Sequence, residues 1–169
     1  MPKQFLTTEQ AMRYNRQIVL SNFDLEKQEI LLNAKVLIVG VGGLGCAAAQ
    51  YLVAAGVGEI TLIDDDIVEK TNLQRQVLHG EADVGINKCL SAKASLEQLN
   101  SDIKINVIQK RLGLDDYIAL IASLDMVLDC TDNLAIRNTL NQACYQSGTA
   151  LVSGAAIRME GQLITIVPQ

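Results

Sequence analysis

At 169 residues and 18.3 kDa the chain has the length of one domain, enough to bury roughly 70% of the surface its unfolded form exposes without help from disulfides or metals. Its 49% hydrophobic and 20% charged residues exclude disorder over most of that length. A formal charge of −5 and a pI near 4.8 exclude nucleic-acid binding through a basic face. Four cysteines, Cys46, Cys89, Cys130 and Cys144, stand apart with no C-x-x-C pair, and His79 is the one histidine. That pattern excludes a zinc site built from this chain's Cys and His alone and fits reduced core thiols in a cytoplasmic protein.

Met1 to Gln10 is polar and has no apolar signal-peptide core, so nothing in it directs export. Thr7-x-x-Gln10 has the spacing of a capping box and predicts a helix to about Leu20, and Asp24 opens a second to about Leu32. Together they form an N-terminal helical arm over residues 1–34. Val36 to Gly58 is uncharged across 23 residues, long enough to span a bilayer. Its six glycines, at 40, 42, 43, 45, 56 and 58, instead predict a strand, a tight turn, a small-residue helix and a second turn.

From Lys35 onward short apolar runs alternate with helical patterns. The predicted strands are Val36–Val39, Ile60–Ile63, Ile103–Ile108, Met126–Leu128, Ala150–Val152 and Leu163–Val167. Helices are predicted from about Leu44, through Cys89, Ala92, Leu96 and Leu99, from a cap at Asp115-Asp116 to Ala122, and through Ile136, Leu140, Ala143 and Cys144. Strand alternating with helix implies parallel crossovers, hence a doubly wound, mostly parallel α/β sheet of Rossmann type over residues 35–169. The closing strand, from about Gly161, has an open direction and is a candidate for antiparallel pairing. The chain ends just after it, at Pro168 and Gln169, with no closing helix, which predicts a fold that continues further.

Gly40-Val41-Gly42-Gly43-Leu44-Gly45 fits G-x-G-x-x-G and falls between a predicted strand and a predicted helix. Glycines there let the backbone approach a phosphate, which then meets the positive end of the helix. Asp64 lies about 20 residues beyond, where an acid at a strand's carboxyl end accepts hydrogen bonds from a ribose. NAD and ATP both carry that ribose. Hydride transfer also needs proton-moving groups and a second binding site, yet none of Tyr14, Tyr51, Tyr117 and Tyr145 has a lysine four residues on, and His79 reads as a surface loop residue. No Walker phosphate loop occurs.

Arg75, in Asn72-Leu73-Gln74-Arg75-Gln76, and Lys88, opening the next helix, would bracket a polyanion at the glycine loop. Asp132, in Asp129-Cys130-Thr131-Asp132-Asn133, is placed either to hold a magnesium ion among phosphates or, like Asn133, to cap the following helix. Asp129 reads as an organiser of nearby backbone.

Arg13-Tyr14-Asn15-Arg16-Gln17, Gly40 to Gly45, Asp64, Asn72 to Gln76, Lys88, Asp129 to Asn133 and Val152 to Gln162 follow one another in the order seen in the MoeB/ThiF adenylyltransferases, relatives of ubiquitin-activating enzymes, which the chain resembles over nearly its whole length. The Val152–Gln162 segment is most similar to the molybdopterin-synthase adenylyltransferase (MoeB) branch, and the Asp64–Asp66 run to the thiamine-pathway ThiF branch.

The resemblance implies a homodimer that uses ATP and magnesium to adenylate the C-terminal glycine of a small ubiquitin-like sulphur carrier, MoaD-like or ThiS-like, releasing pyrophosphate. In molybdenum-cofactor biosynthesis the carrier is MoaD-like. It further implies that Asp64 holds the ribose, Asn72 lines its pocket, Arg75 and Lys88 hold phosphates, Asp132 serves magnesium, and Arg16 enters the partner subunit's site. Full-length relatives carry two C-x-x-C pairs for structural zinc further on, and these are absent here. An ionised carboxylate nucleophile needs no general base, so a lone histidine suits the reaction. Two other readings remain: an NAD-dependent oxidoreductase fragment, and a non-catalytic carrier-binding protein.

Overall fold

The computed structural model describes residues 4–168, so residues 1–3 of the arm and Gln169 lie outside it. Its sheet has the strand order β3-β2-β1-β4-β5-β6, from β1 (Lys35–Val39), β2 (Glu59–Ile63), β3 (Lys104–Ile108), β4 (Met126–Asp129), β5 (Ala150–Ile157) and β6 (Glu160–Ile166). The first five are parallel, with Val36 opposite Ile60 and Met126, and β6 alone is antiparallel. The chain winds outward from β1 through β2 to β3, then returns to β4 on β1's other side. That reversal opens a crevice at the carboxyl ends of β1 and β4, where doubly wound sheets bind ligands.

Alternation along each strand divides the core between the two sheet faces. Val36, Ile38, Ile60, Leu62 and Ile105 pack with Cys46, Ala49 and Val53 of α4 (Gly43–Ala55) and Cys89, Ala92 and Leu96 of α5 (Lys88–Leu99). On the opposite face Leu37, Val39, Val127 and Leu151 pack with Tyr117 and Ile121 of α6 (Leu114–Ile121) and Leu140, Ala143 and Cys144 of α7 (Leu134–Ser147). At about 25 cal/mol per Å² of apolar surface buried, these two layers supply the main drive to fold.

The arm comprises α1 (Thr8–Arg13), α2 (Asn15–Ile18) and α3 (Leu25–Asn33). Thr7 and Gln10 form the expected capping box, but the helix expected to reach Leu20 breaks at Tyr14. There φ is −95° and ψ 9°, because the ring turns into the core beside Gly56 and its hydroxyl accepts a hydrogen bond from Asn100 Nδ2 at 2.9 Å. Gln17 and Gln28 both donate to the Ala55 carbonyl, at 2.8 and 2.9 Å, satisfying a carbonyl in the last turn of α4.

Two other expectations shift. Helix α6 is capped at Gly113, with Asp115 and Asp116 inside its first turn, where their charges favour the helix dipole without capping it. Strand β5 runs to Ile157, well past Val152. Its Ser-Gly-Ala-Ala stretch is poor in β-branched residues, and pairing with β6 from Leu151↔Ile166 to Ile157↔Glu160 sustains it. Among the described residues no helix is long and apolar enough to cross a membrane.

Candidate nucleotide site

A cleft of about 930 Å3 lies at the strand ends, bordered by Gly40, Gly42, Gly43, Asp64, Asn72, Arg75, Lys88 and Asp132. Eight of the ten expected site positions therefore share one space. Its floor is the turn from β1 into α4. Gly40 has φ +89°, and a side chain there would press on the Cys130 carbonyl oxygen at 2.9 Å, so the first glycine serves both backbone conformation and close approach to the β4 loop. Gly42, Gly43 and Leu44 at the start of α4 border the same cleft, and a helix N-terminus offers N–H groups without intrahelical partners, as anion sites require.

Gly45, expected at the nucleotide, does not border the cleft; it is buried within the first turn of α4, where any Cβ would collide with the Gly40 carbonyl oxygen. Its role is to let the helix close on the turn. Arg16 is exposed on α2 and lies outside its own chain's cleft.

Asp64, at the end of β2, braces the loop: its Oδ2 accepts from Val41 N–H at 2.7 Å and its Oδ1 from Asp66 N–H at 2.9 Å. Asn72 is buried, and its Oδ1 accepts from Glu69 N–H at 3.2 Å. Arg75 lays its aliphatic stem over Gly43 and directs its guanidinium to the Thr71 carbonyl and the Gln74 side chain. Lys88 is nearly buried, and its ammonium reaches Asp66 Oδ2 at 2.8 Å. Asp64, Asp65 and Asp66 lie close enough together to suggest a metal cluster, but Asp65 is engaged by Arg111 at 3.0 Å and Asp66 by Lys88.

In the β4 loop a single residue takes the capping role. Asn133 caps α7, accepting from Ala135 and Ile136 N–H at 2.9 and 3.2 Å. Asp132 is exposed at the cleft wall and makes no hydrogen bond or ion pair among the described residues, so it keeps the free carboxylate that magnesium coordination needs. Asp129 is fully buried and takes four bonds: Thr131 N–H and hydroxyl on Oδ1, and the Ser153 hydroxyl and Arg137 Nε on Oδ2, at 2.7 to 3.0 Å.

Arg137 is the principal residue that sequence reasoning missed. From α7 it also donates to the Thr131 and Gly154 carbonyls, each at 2.8 Å, tying the β4 loop to β5 at the cleft's edge. Lys110 and Arg111 after β3, and Gln76 beside Gly42, complete its polar border. A helical residue four positions beyond a capping Asn is the available signal for Arg137; Gln76 and Arg111 carry none.

His79 overturns the surface reading. It is 7% exposed beneath the glycine loop, with Nε2 3.3 Å from the Val41 carbonyl and Nδ1 2.8 Å from Ser91 Oγ. The Nε2–H tautomer satisfies both contacts, with the Ser91 hydroxyl donating to Nδ1. Val41 is therefore gripped through its N–H by Asp64 and through its carbonyl by His79. Burial pushes the imidazole's pKa below its usual value. All four cysteines are free, and burial raises their thiols to about 11 for Cys46 and Cys144 and about 12 for Cys89 and Cys130. They are protonated near pH 7 and unsuited to nucleophilic or metal-binding work.

The chain is 54% identical to a molybdopterin-synthase adenylyltransferase of Salmonella typhimurium over 158 residues, 94% of the chain and 64% of the relative. The Escherichia coli protein of that name is 52% identical over 97% of the chain and 66% of its own length. The chain thus spans just under two thirds of these curated relatives. A Drosophila persimilis adenylyltransferase and sulfurtransferase MOCS3 is 48% identical over 96% of the chain and 36% of the relative.

Among solved structures, E. coli MccB with ATP superposes with a TM-score of 0.76 at 34% identity, covering 83% of this chain and 42% of that one. PaaA superposes at 0.81 and 26% identity, covering 92% and 50%. The ThiF family model matches residues 14–169, from the buried Tyr14 through the glycine loop and both acidic loops of the cleft to β6. The chain belongs to the ThiF family.

Proposed function

We propose that this chain forms the nucleotide-binding part of an adenylyltransferase that activates the C-terminal glycine carboxylate of a small ubiquitin-like sulphur carrier with ATP, in the manner of molybdopterin synthesis. The observation that carries this reading is the meeting of Arg75, Lys88 and the unpartnered Asp132 around one glycine-floored cleft. Two cations and a free carboxylate bordering one cleft suit a magnesium-bound polyphosphate. The relatives' names and the ATP in MccB agree with it.

In the reaction a carrier carboxylate oxygen attacks the α-phosphorus, a P–O bond to the β-phosphate breaks, and pyrophosphate leaves. The nucleophile is ionised at neutral pH, so this chain has no proton to remove. Its residues bind and orient: Asp64 and Asn72 on the ribose side, with Arg75 and Lys88 donating to phosphate oxygens as charge shifts to the leaving group. Magnesium, held by Asp132, would neutralise part of that charge. Structural zinc does not fit this chain's separate, protonated thiols, and no step depends on it.

We further propose that the protein works as a homodimer in the cytoplasm, with Arg16 supplied across the interface. Carrier-dependent exchange of pyrophosphate into ATP tests the activity. Exchange that requires the carrier's terminal glycine supports the reading, and carrier binding without exchange overturns it in favour of a non-catalytic binding protein.

A further inference from the structure

Lys88 and Asp66 are joined more closely than two groups on one cleft wall need to be. Lys88 N–H donates to the Asp66 carbonyl at 3.0 Å, Asn87 Nδ2 donates to the same carbonyl at 3.0 Å, and Asp66 N–H donates to Asp64 Oδ1 at 2.9 Å. The loop after β2 is thereby stitched to the start of α5, and the stitch places Asp66 Oδ2 2.8 Å from the Lys88 ammonium.

The two side chains differ in exposure, Lys88 at 9% and Asp66 at 59%. A nearly buried ammonium without a partner is costly, whereas a hydrated carboxylate at the rim neutralises it at little desolvation cost of its own. The ammonium has three protons. Asp66 is its only hydrogen-bond partner among the described residues, leaving two protons for oxygens in the cleft.

We propose that Asp66 is a positioning residue for Lys88: it fixes the ammonium at the cleft wall before nucleotide arrives and keeps it aimed while two of its protons serve phosphate. Asp66 itself contacts no reacting atom. This extends the nucleotide reading given above and rests on it for the identity of the ligand.

The test compares wild type with Asp66→Asn, which keeps size and backbone contacts but loses charge, and with Asp66→Glu, which restores charge. In unliganded protein, mass spectrometry follows acylation of Lys88 by a small amine-reactive ester, with the 78%-exposed Lys70 as internal reference. Loss of a charged hydrogen bond raises Lys88 labelling roughly tenfold in Asp66→Asn, and Asp66→Glu reverses most of the rise. In carrier-dependent exchange, Asp66→Asn lowers kcat roughly tenfold through misplacement, while the Kd for magnesium-ATP stays within about twofold because Lys88 retains its charge. Unchanged Lys88 labelling in Asp66→Asn overturns the proposal, as does weaker ATP binding with unchanged kcat. If wild type neither exchanges pyrophosphate nor shows protection of Lys88 by magnesium-ATP, the adenylation reading is what fails, and labelling still decides whether Asp66 holds Lys88.

Discussion

Arg75 and Lys88 both border the cleft, and each has a distinct attachment, one lying across Gly43 and the other tied to Asp66. Truncating either to Ala is expected to lower adenylation turnover by roughly 10²–10³, the usual loss for a donor to developing charge. Carrier-dependent exchange at the wild-type rate would remove that residue from the site. Asp132→Ala is expected to lose magnesium-dependent exchange activity without altering the melting temperature, since Asn133 does the capping; unchanged magnesium dependence would remove Asp132 from the metal site. His79 makes a pH prediction. Because burial lowers its folded pKa below 6.5, the unfolded chain binds a proton that the folded one refuses. Its stabilising contribution is complete above about pH 6.5 and declines as pH falls below that value. Asp83 and Asp64 oppose the shift and Lys88 adds to it, but desolvation outweighs them. The urea midpoint is expected to fall between about pH 6.5 and pH 5, less steeply in His79→Gln. At this scale the glycines, Asp64, Arg75 and Lys88 were readable because their spacing from strand ends is local. Gln76 and His79 were not, since tertiary folding alone brings them beside or beneath the glycine loop, and Arg137 offered only its spacing from the capping Asn133.

Among the elements, apolar runs, helical spacing and turn or cap residues carried the reading. All six strands and the four long helices of the doubly wound unit lie where those signals put them, with ends shifted by a few residues. The arm was less readable, because Tyr14 breaks a regular helical pattern to fill space beside Gly56 and Asn100, a contact no local pattern encodes. Strand β5 hid in small residues that its antiparallel neighbour stabilises. The arm's seat makes a stability prediction. Gly58 N–H donates to the Leu31 carbonyl at 3.0 Å, and a Cβ on Gly58 would collide with the Leu32 carbonyl oxygen. Gly58→Ala is therefore expected to lift α3 from the sheet and cost about 1–3 kcal/mol, measured by urea unfolding. Stability equal to wild type would mean the arm is not fixed at that turn.

For the molecule as a whole, the cleft is assembled from four loops at one sheet edge, while Arg16 is exposed on the arm and outside the cleft of its own chain. Supply across a dimer interface predicts complementation. Arg16→Ala and Lys88→Ala, each strongly impaired alone, are expected to regain exchange activity when mixed, because a mixed dimer contains one site with both residues intact. No recovery on mixing would confine each site to a single chain. The claim on which the rest depends is that the cleft takes magnesium-ATP and not a dinucleotide, and calorimetric titration with magnesium-ATP and separately with NAD tests it without the carrier. Binding of magnesium-ATP, weakened by Lys88→Ala and matched by no heat from NAD, is expected. Binding of NAD with none of magnesium-ATP would contradict the adenylyltransferase reading and favour an oxidoreductase.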